Sequence, residues 1–133
     1  MTSEKPYVLK RWYDYMEGHN FDVLDELLAD EVVFHSPVVH TPQRGKKITK
    51  MYLMAAEKVL GGADFKYTKE IIGNQQIMLE FTNVIEGVTI NGVDIVTYNE
   101  DNQITEFKVM VRPLQGIQKI HQKMMEMLEN FKK

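Results

Sequence analysis

Apolar residues recur at helical spacing near both ends of this chain and at every second position through its middle. Val8, Leu9, Trp12, Tyr13 and Met16 predict a first helix that ends near Gly18. Asn20 is placed to cap a second helix, with Phe21, Leu24, Leu27 and Leu28 as its stripe. "EVVF" then reads as a short strand, broken by Ser36–Pro37 because proline cannot donate to a ladder. After Gly45, Ile48, Met51, Tyr52, Ala55 and Val59 predict a third helix, stopped by Gly61–Gly62. From Asp64 the period changes to two. "FKYTKEII", "IMLEFTNVI", "VTINGVDIVTY" and "ITEFKVMVR" read as strands, separated by Gly73–Asn74, Glu86–Gly87 and "NEDN". Asn91–Gly92 reads as either a bulge or a tight hairpin turn. Pro113 opens a last helix with the stripe Leu114, Ile117, Ile120, His121, Met124, Leu128 and Phe131. Helices grouped apart from a run of strands indicate an α+β fold: a curved antiparallel sheet wrapped on three N-terminal helices, with an additional C-terminal helix. A curved sheet closed by helices leaves room for a cavity between them.

Composition narrows the function. A chain of 133 residues, 44% hydrophobic and 26% charged, is expected to form one domain over 1–133 with a core of its own. A net charge of −3 disfavours nucleic acid as partner, since phosphate binding needs a basic face. The chain has no cysteine, which excludes disulfides, zinc–thiolate sites and thiol nucleophiles. No apolar signal core opens the sequence and no run reaches the roughly 18–20 apolar residues of a membrane span. A cytoplasmic protein without membrane contact is the expectation. Nine methionines suit an adaptable apolar surface.

Three stretches, "FDVLDELLADEVVFHSPV", "RGKKITKMY" and "GVDIVTYNEDNQITEFKVMVRP", carry a resemblance to the nuclear transport factor 2-like superfamily, in its SnoaL-like and ketosteroid-isomerase-like branch. The resemblance implies a cone-shaped α+β domain with an apolar pocket, often a homodimer. It implies little about activity, because members include isomerases, epoxide hydrolases, cyclases, dehydratases and domains without catalysis. Carried over residue by residue, the isomerase branch's general-base aspartate falls on Ser36, whose hydroxyl cannot abstract a proton unaided. Its phenolic donor falls on Trp12, with Tyr13 one step off register. Its second acid, a protonated aspartate that donates to a substrate oxygen, falls on Asp94 and is retained. The epoxide-hydrolase branch needs Asp–Arg–Asp. Arg112 is the sole arginine late in the strands, and no second aspartate accompanies it.

Asp94 is therefore the candidate catalytic residue. On a regular strand it shares a face with Val88, Ile90, Val96 and Tyr98. Ionisation there is costly, so its pKa is expected to rise. The alternative is an aspartate that caps a bulge at Asn91–Gly92 or pairs with a neighbouring strand. Trp12, Tyr13, Ser36, Tyr52, Val96, Phe107, Val109 and Val111 are the expected pocket residues. The same aromatics also suit a plain core. His35 alternates with Ser36 and so faces away from it, under a helix or at an interface. His40 is a solvated loop residue. His121 is a core histidine on the last stripe, and Lys119, Lys123, Lys132 and Lys133 form a solvated face. Glu80 is an alternative acid, or else half of a charge pair with Lys108 or Arg112. No histidine–carboxylate spacing suggests a metal, and no cofactor is implied. The leading function is a small hydrophobic-molecule-binding protein. The alternatives are an isomerase, lyase or cyclase acting on a hydrophobic carbonyl compound through Asp94, and a dimeric protein-interaction module.

Overall fold

The computed structural model describes residues 5–131, without the side chains of residues 130 and 131. The expectations for the side chain of Phe131 and for Lys132 and Lys133 lie outside the described residues. The elements run α1 (Tyr7–Gly18), α2 (Phe21–Leu27), β1 (Leu28–His35), β2 (Gln43–Arg44), α3 (Lys46–Leu60), β3 (Lys66–Gly73), β4 (Gln76–Ile85), β5 (Val88–Tyr98), β6 (Ile104–Arg112) and α4 (Leu114–Phe131). The fold is α+β, as the periodicity predicts.

Each helix forms for a local reason. In α1, Val8, Leu9, Trp12 and Tyr15 are buried on one face. Burying such side chains is worth about 1.5–3 kcal/mol each. His19 ends the helix in the left-handed region, and its N–H bonds the Tyr15 carbonyl at 2.7 Å. The Asn20 side chain caps α2 by accepting from the Asp22 N–H at 2.9 Å. Leu28 is the first residue of β1 rather than the last of the helical stripe. The turn of chain there is abrupt, and a helical and a strand spacing both place Leu28 inside.

The sheet has the order β2-β1-β6-β5-β4-β3. β3 to β6 form an antiparallel meander, but β1 pairs parallel with β6, through Phe34↔Phe107 and His35↔Lys108. The sheet is thus mixed. Hydrophobic alternation records which face a residue takes, not which way the strand runs. The long path through α3 and four strands permits the parallel return. On the inner face lie Ile77, Leu79 and Phe81 of β4, Ile90, Asp94 and Val96 of β5, and Phe107 and Val109 of β6. They pack on α1 and α3. A register shift between Thr97 and Tyr98 lets both Ile104 and Phe107 face inward.

Asn91–Gly92 is neither a bulge nor a turn. β5 runs through it in register, with Gly92 opposite Phe81 and Val111. The glycine is there for space: a Cβ would lie 2.5 Å from the Phe81 ring and 2.7 Å from the Met110 carbonyl. The Asn91 amide donates to the Phe81 carbonyl at 2.9 Å, and its oxygen accepts from Arg112 Nε. The hairpin turn is at Glu86–Gly87, where φ is 49° and 81°.

α4 lies across β5, β6 and α3. Its own Ile120 is buried and its Met124 packs against the core. His121 is exposed, so the expected core histidine is not one. Lys119 and Lys123 are not merely solvated, because both pair with Glu86 at the β4–β5 turn. No described helix is long and apolar enough to cross a membrane.

Candidate functional site

Asp94 points from the middle of β5 into the space between the sheet, α1 and α3, and is 7% exposed. Its neighbours across the ladder are Leu79 and Val109. Among the described residues its hydrogen-bond partner is Tyr67, whose hydroxyl donates to Oδ2 at 2.8 Å. Trp12 Nε1–H in turn donates to the Tyr67 hydroxyl at 3.0 Å. The result is a short relay, indole to phenol to carboxyl, with one side chain each from α1, β3 and β5.

Burial dominates the electrostatics. It raises the Asp94 pKa to about 7, and the hydrogen bond from Tyr67 offsets part of the rise. Burial also pushes the Tyr67 phenol well above its ordinary value, with the Asp94 carboxyl adding to the effect. Near neutrality Asp94 is thus split between carboxylate and carboxylic acid. The acid form can accept from Tyr67 and still donate its own proton. There is no bulge at Asn91–Gly92 for Asp94 to cap, and the strand residue that it bonds is Tyr67 of β3.

Asp94 and Tyr67 form the polar part of the wall of a small cavity. Trp12, Met16, Leu60, Phe65, Phe81 and Phe107 are among its apolar members, and Glu57 of α3 adds a second carboxylate. The cavity holds about 40 Å³, room for a few waters. It shares Met16, Glu57 and Phe65 with a wide surface cleft flanked by Tyr13 and His19. On its other side Ala56, Leu60 and Val109 separate it from a second apolar cavity of about 60 Å³ under α4. Ser36, Tyr52, Val111, Met124 and Leu128 line that second space.

The expected pocket residues therefore divide. Trp12, Phe107 and Val109 join Asp94 at the first cavity. Ser36, Tyr52 and Val111 belong to the second, and Tyr52 stacks on Phe34 at 5.4 Å. The Ser36 oxygen accepts from the Val38 and Val39 N–H groups at 3.1 and 3.3 Å, so it holds the proline turn together. Tyr13 does not reach the cavity. One helical step from Trp12, it stands at the cleft, where its hydroxyl donates to Glu70, itself paired with Lys5. Val96 lines neither cavity, because it is sealed in the core opposite Ile77 and Phe107.

The remaining candidates lie outside the site. His35 bonds Glu106 at 2.9 Å on the adjacent strand rather than a helix, and it lines a surface cleft together with Ser36. His40 is exposed. Glu80 lies on the outer face and accepts from Asn91 at 3.2 Å. Asn91 also holds Arg112, so the expected charge pair is bridged by an amide. Sequence reasoning missed Tyr67 and Glu57. Tyr67 sits in "FKYTKEII", where alternation puts it on the Phe65 face, but nothing in that strand tells that its hydroxyl meets Asp94. Glu57 falls one turn beyond Leu53 on α3, and only the tertiary fold brings it to the cavity wall and to His19.

Residues 9–107 match the SnoaL-like domain. No curated protein matches the chain. Among solved structures, the chain is similar to a steroid delta-isomerase from Pseudomonas aeruginosa, with 28% identity and a TM-score of 0.87 over 93% of this chain and 90% of that one. It is also similar to an uncharacterised cystatin-like-fold protein from Silicibacter pomeroyi, with 22% identity and a TM-score of 0.82, covering 90% and 84% of the two chains. An NTF2-like protein of unknown function from Mesorhizobium loti shares 18% identity with a TM-score of 0.69, covering 80% and 88%. The match over residues 9–107, most of the chain, places this protein in the SnoaL-like domain family.

Proposed function

We propose that this chain binds a small apolar molecule carrying one carbonyl oxygen, and that the Asp94 carboxyl hydrogen-bonds that oxygen. The observation that carries the reading is a buried carboxyl that accepts from the Tyr67 hydroxyl and faces an apolar cavity, where burial raises its pKa to about 7. A ligand's apolar body replaces water against Trp12, Phe81 and Phe107, while its oxygen meets the proton of Asp94. A buried donor of this kind discriminates strongly, because a ligand without the acceptor leaves it unpaired. As folded, the cavity is smaller than such a ligand. Entry displaces Met16 and Leu60, and methionine moves at small cost.

Trp12 is the chain's single tryptophan and stands in the cavity wall, so its fluorescence reports occupancy. The test is a titration with cyclic ketones of one to four rings, each beside the hydrocarbon of the same shape. A saturable signal for a ketone, weakened about tenfold in Asp94→Ala, is the expected result. Equal binding of ketone and hydrocarbon overturns the reading.

A second reading makes the protein an isomerase, lyase or cyclase on such a carbonyl compound. It is supported by the similarity to the steroid delta-isomerase, together with the family resemblance, which aligns Asp94 with that branch's acid. Against it stands Ser36, which the resemblance aligns with the general base and whose oxygen is taken up by the turn. Homodimerisation through the outer sheet face is a further part of the proposal. Val84 and Met110 are exposed there, at 45% and 52%. A monomer by light scattering at high concentration contradicts it.

A further inference from the structure

The surface cleft beside the Asp94 cavity, about 580 Å³ in volume, has a wall that attracts positive charge. Helices α1 and α3 both end at it. The cleft takes in Glu17 and His19 at the end of α1, and Glu57, Gly61 and Gly62 at the end of α3. A helix leaves partial negative charge at its C-terminus, so two negative ends converge here. The last turn of α1 carries no basic residue, and Lys58, in the last turn of α3, does not line the cleft. Glu17 and Glu57 add two carboxylates. Glu17 is exposed, whereas the Glu57 side chain is only 11% exposed and is partnered by Nδ1 of the exposed His19.

Much of the remaining wall is aromatic. Tyr13, Tyr67 and Phe65 run along it, with successive ring centres 5.8 and 5.0 Å apart. The Tyr67 hydroxyl is engaged with Asp94 and Trp12, so Tyr67 offers the cleft its ring. The face of an aromatic ring attracts a cation, the more so where water is held off. The chain already uses this pairing once. Lys5 Nζ stands 5.2 Å from the centre of the Tyr13 ring and 2.8 Å from the Glu70 carboxylate, to which Tyr13 also donates. Rings beside a carboxylate suit a weakly hydrated organic cation. A hard metal ion asks for more oxygen ligands, and among the described residues no group of three or more histidines and carboxylates is placed to hold one. We propose that this cleft binds a small molecule with a tertiary or quaternary ammonium group, packed on the Phe65 and Tyr67 rings with Glu57 as its counter-ion. The bound cation takes the place of His19 beside Glu57. The site stands on the cleft alone and does not depend on a carbonyl at Asp94.

The experiment compares choline with 3,3-dimethylbutan-1-ol, which has the same shape and no charge. Binding is followed by ligand proton NMR, with the ionic strength held constant by NaCl. Ring faces shift the methyl resonance of a bound trimethylammonium group upfield. Choline is expected to bind saturably, and at least about tenfold more tightly than the alcohol. Glu57→Gln is expected to weaken choline about tenfold and to leave the alcohol unchanged. Phe65→Leu is expected to weaken choline about fivefold, whereas Phe65→Tyr, which keeps the ring, stays within about twofold of the wild type. His19→Gly keeps the left-handed cap and removes the competing imidazole, so choline should bind about threefold more tightly. A merely structural role for Glu57 does not move the ratio between choline and alcohol. Equal affinities for the two, or no choline binding, overturn the proposal. So does unchanged choline binding in a folded Glu57→Gln. If that variant does not fold, the Phe65 pair decides, and equal choline binding by Phe65→Leu and Phe65→Tyr overturns the site. No gain in His19→Gly overturns the displacement of His19.

Discussion

Replacing Asp94 by asparagine keeps the outline of the side chain and removes its ionisation. The folded carboxyl titrates at about 7 against an ordinary 3.8, so it holds its proton more tightly than the unfolded chain does. The sign follows from this. The stability linked to this group is fully present below about pH 4, and it is lost as the pH rises toward 7. At about 1.36 kcal/mol per pKa unit, a shift of roughly three units amounts to about 4 kcal/mol in all. About 1 kcal/mol of it is already gone at pH 4.5, so about 3 kcal/mol is lost between pH 4.5 and pH 8. Asparagine has no such loss. Its amide accepts from Tyr67 through oxygen and leaves N–H donors in the cavity, at a pH-independent cost of about 1–2 kcal/mol. The two proteins should therefore cross: wild type the more stable in acid, Asp94→Asn the more stable by about 2 kcal/mol at pH 8. Urea unfolding across this range measures it. Every other titrating group is shared, so the difference isolates Asp94. A difference that stays flat within about 0.5 kcal/mol refutes the claim that the buried carboxyl carries a proton near neutrality.

Three further outcomes are expected. Tyr67→Phe removes the hydroxyl between Trp12 and Asp94, so it should destabilise the fold by about 2 kcal/mol and raise the Asp94 titration further. Urea unfolding and carboxyl NMR check the two parts. Gly92→Ala drives a methyl into the Phe81 ring and the Met110 carbonyl, and thermal unfolding should show a loss of about 2–3 kcal/mol. Glu86 is held down to about 2 by Lys123 and then Lys119, so its favourable effect is present above the ordinary carboxylate range and is lost as the pH falls toward 2. This cluster is exposed to solvent. Glu86→Gln should therefore speed amide exchange in α4 at low salt and have no effect at about 1 M salt.

Much of the architecture is written locally. Helical spacing in α1 and α3, the Asn20 cap and the alternation of β3 to β6 each depend on neighbours within a turn or a hairpin. They are legible for that reason. Asn91–Gly92 misleads for a physical cause: the dipeptide that favours a tight turn is here a straight strand, and its glycine makes room for a ring on β4. The parallel β1–β6 pairing is a long-range event with no local signature. The site divides in the same way. Asp94 is legible because a carboxylate on an apolar strand face is an anomaly. Tyr67 and Glu57 are unremarkable in their own elements. They acquire meaning only where the edge strand and two helices converge. Tyr13 and Val96 are the converse, with the right type and nearly the right register, and each is displaced by a single step or by complete burial.

The most direct test of the central claim is the carboxyl ¹³C titration of Asp94, followed by NMR in the free protein and with a saturating cyclic ketone. The free carboxyl is predicted to titrate near 7. The bound one should titrate higher still, because a ligand that accepts the Asp94 proton binds the protonated form better and must raise its pKa by the same factor. A carboxyl that titrates in the ordinary aspartate range, unmoved by ketone, contradicts the proposal that Asp94 is a buried proton donor to a carbonyl ligand.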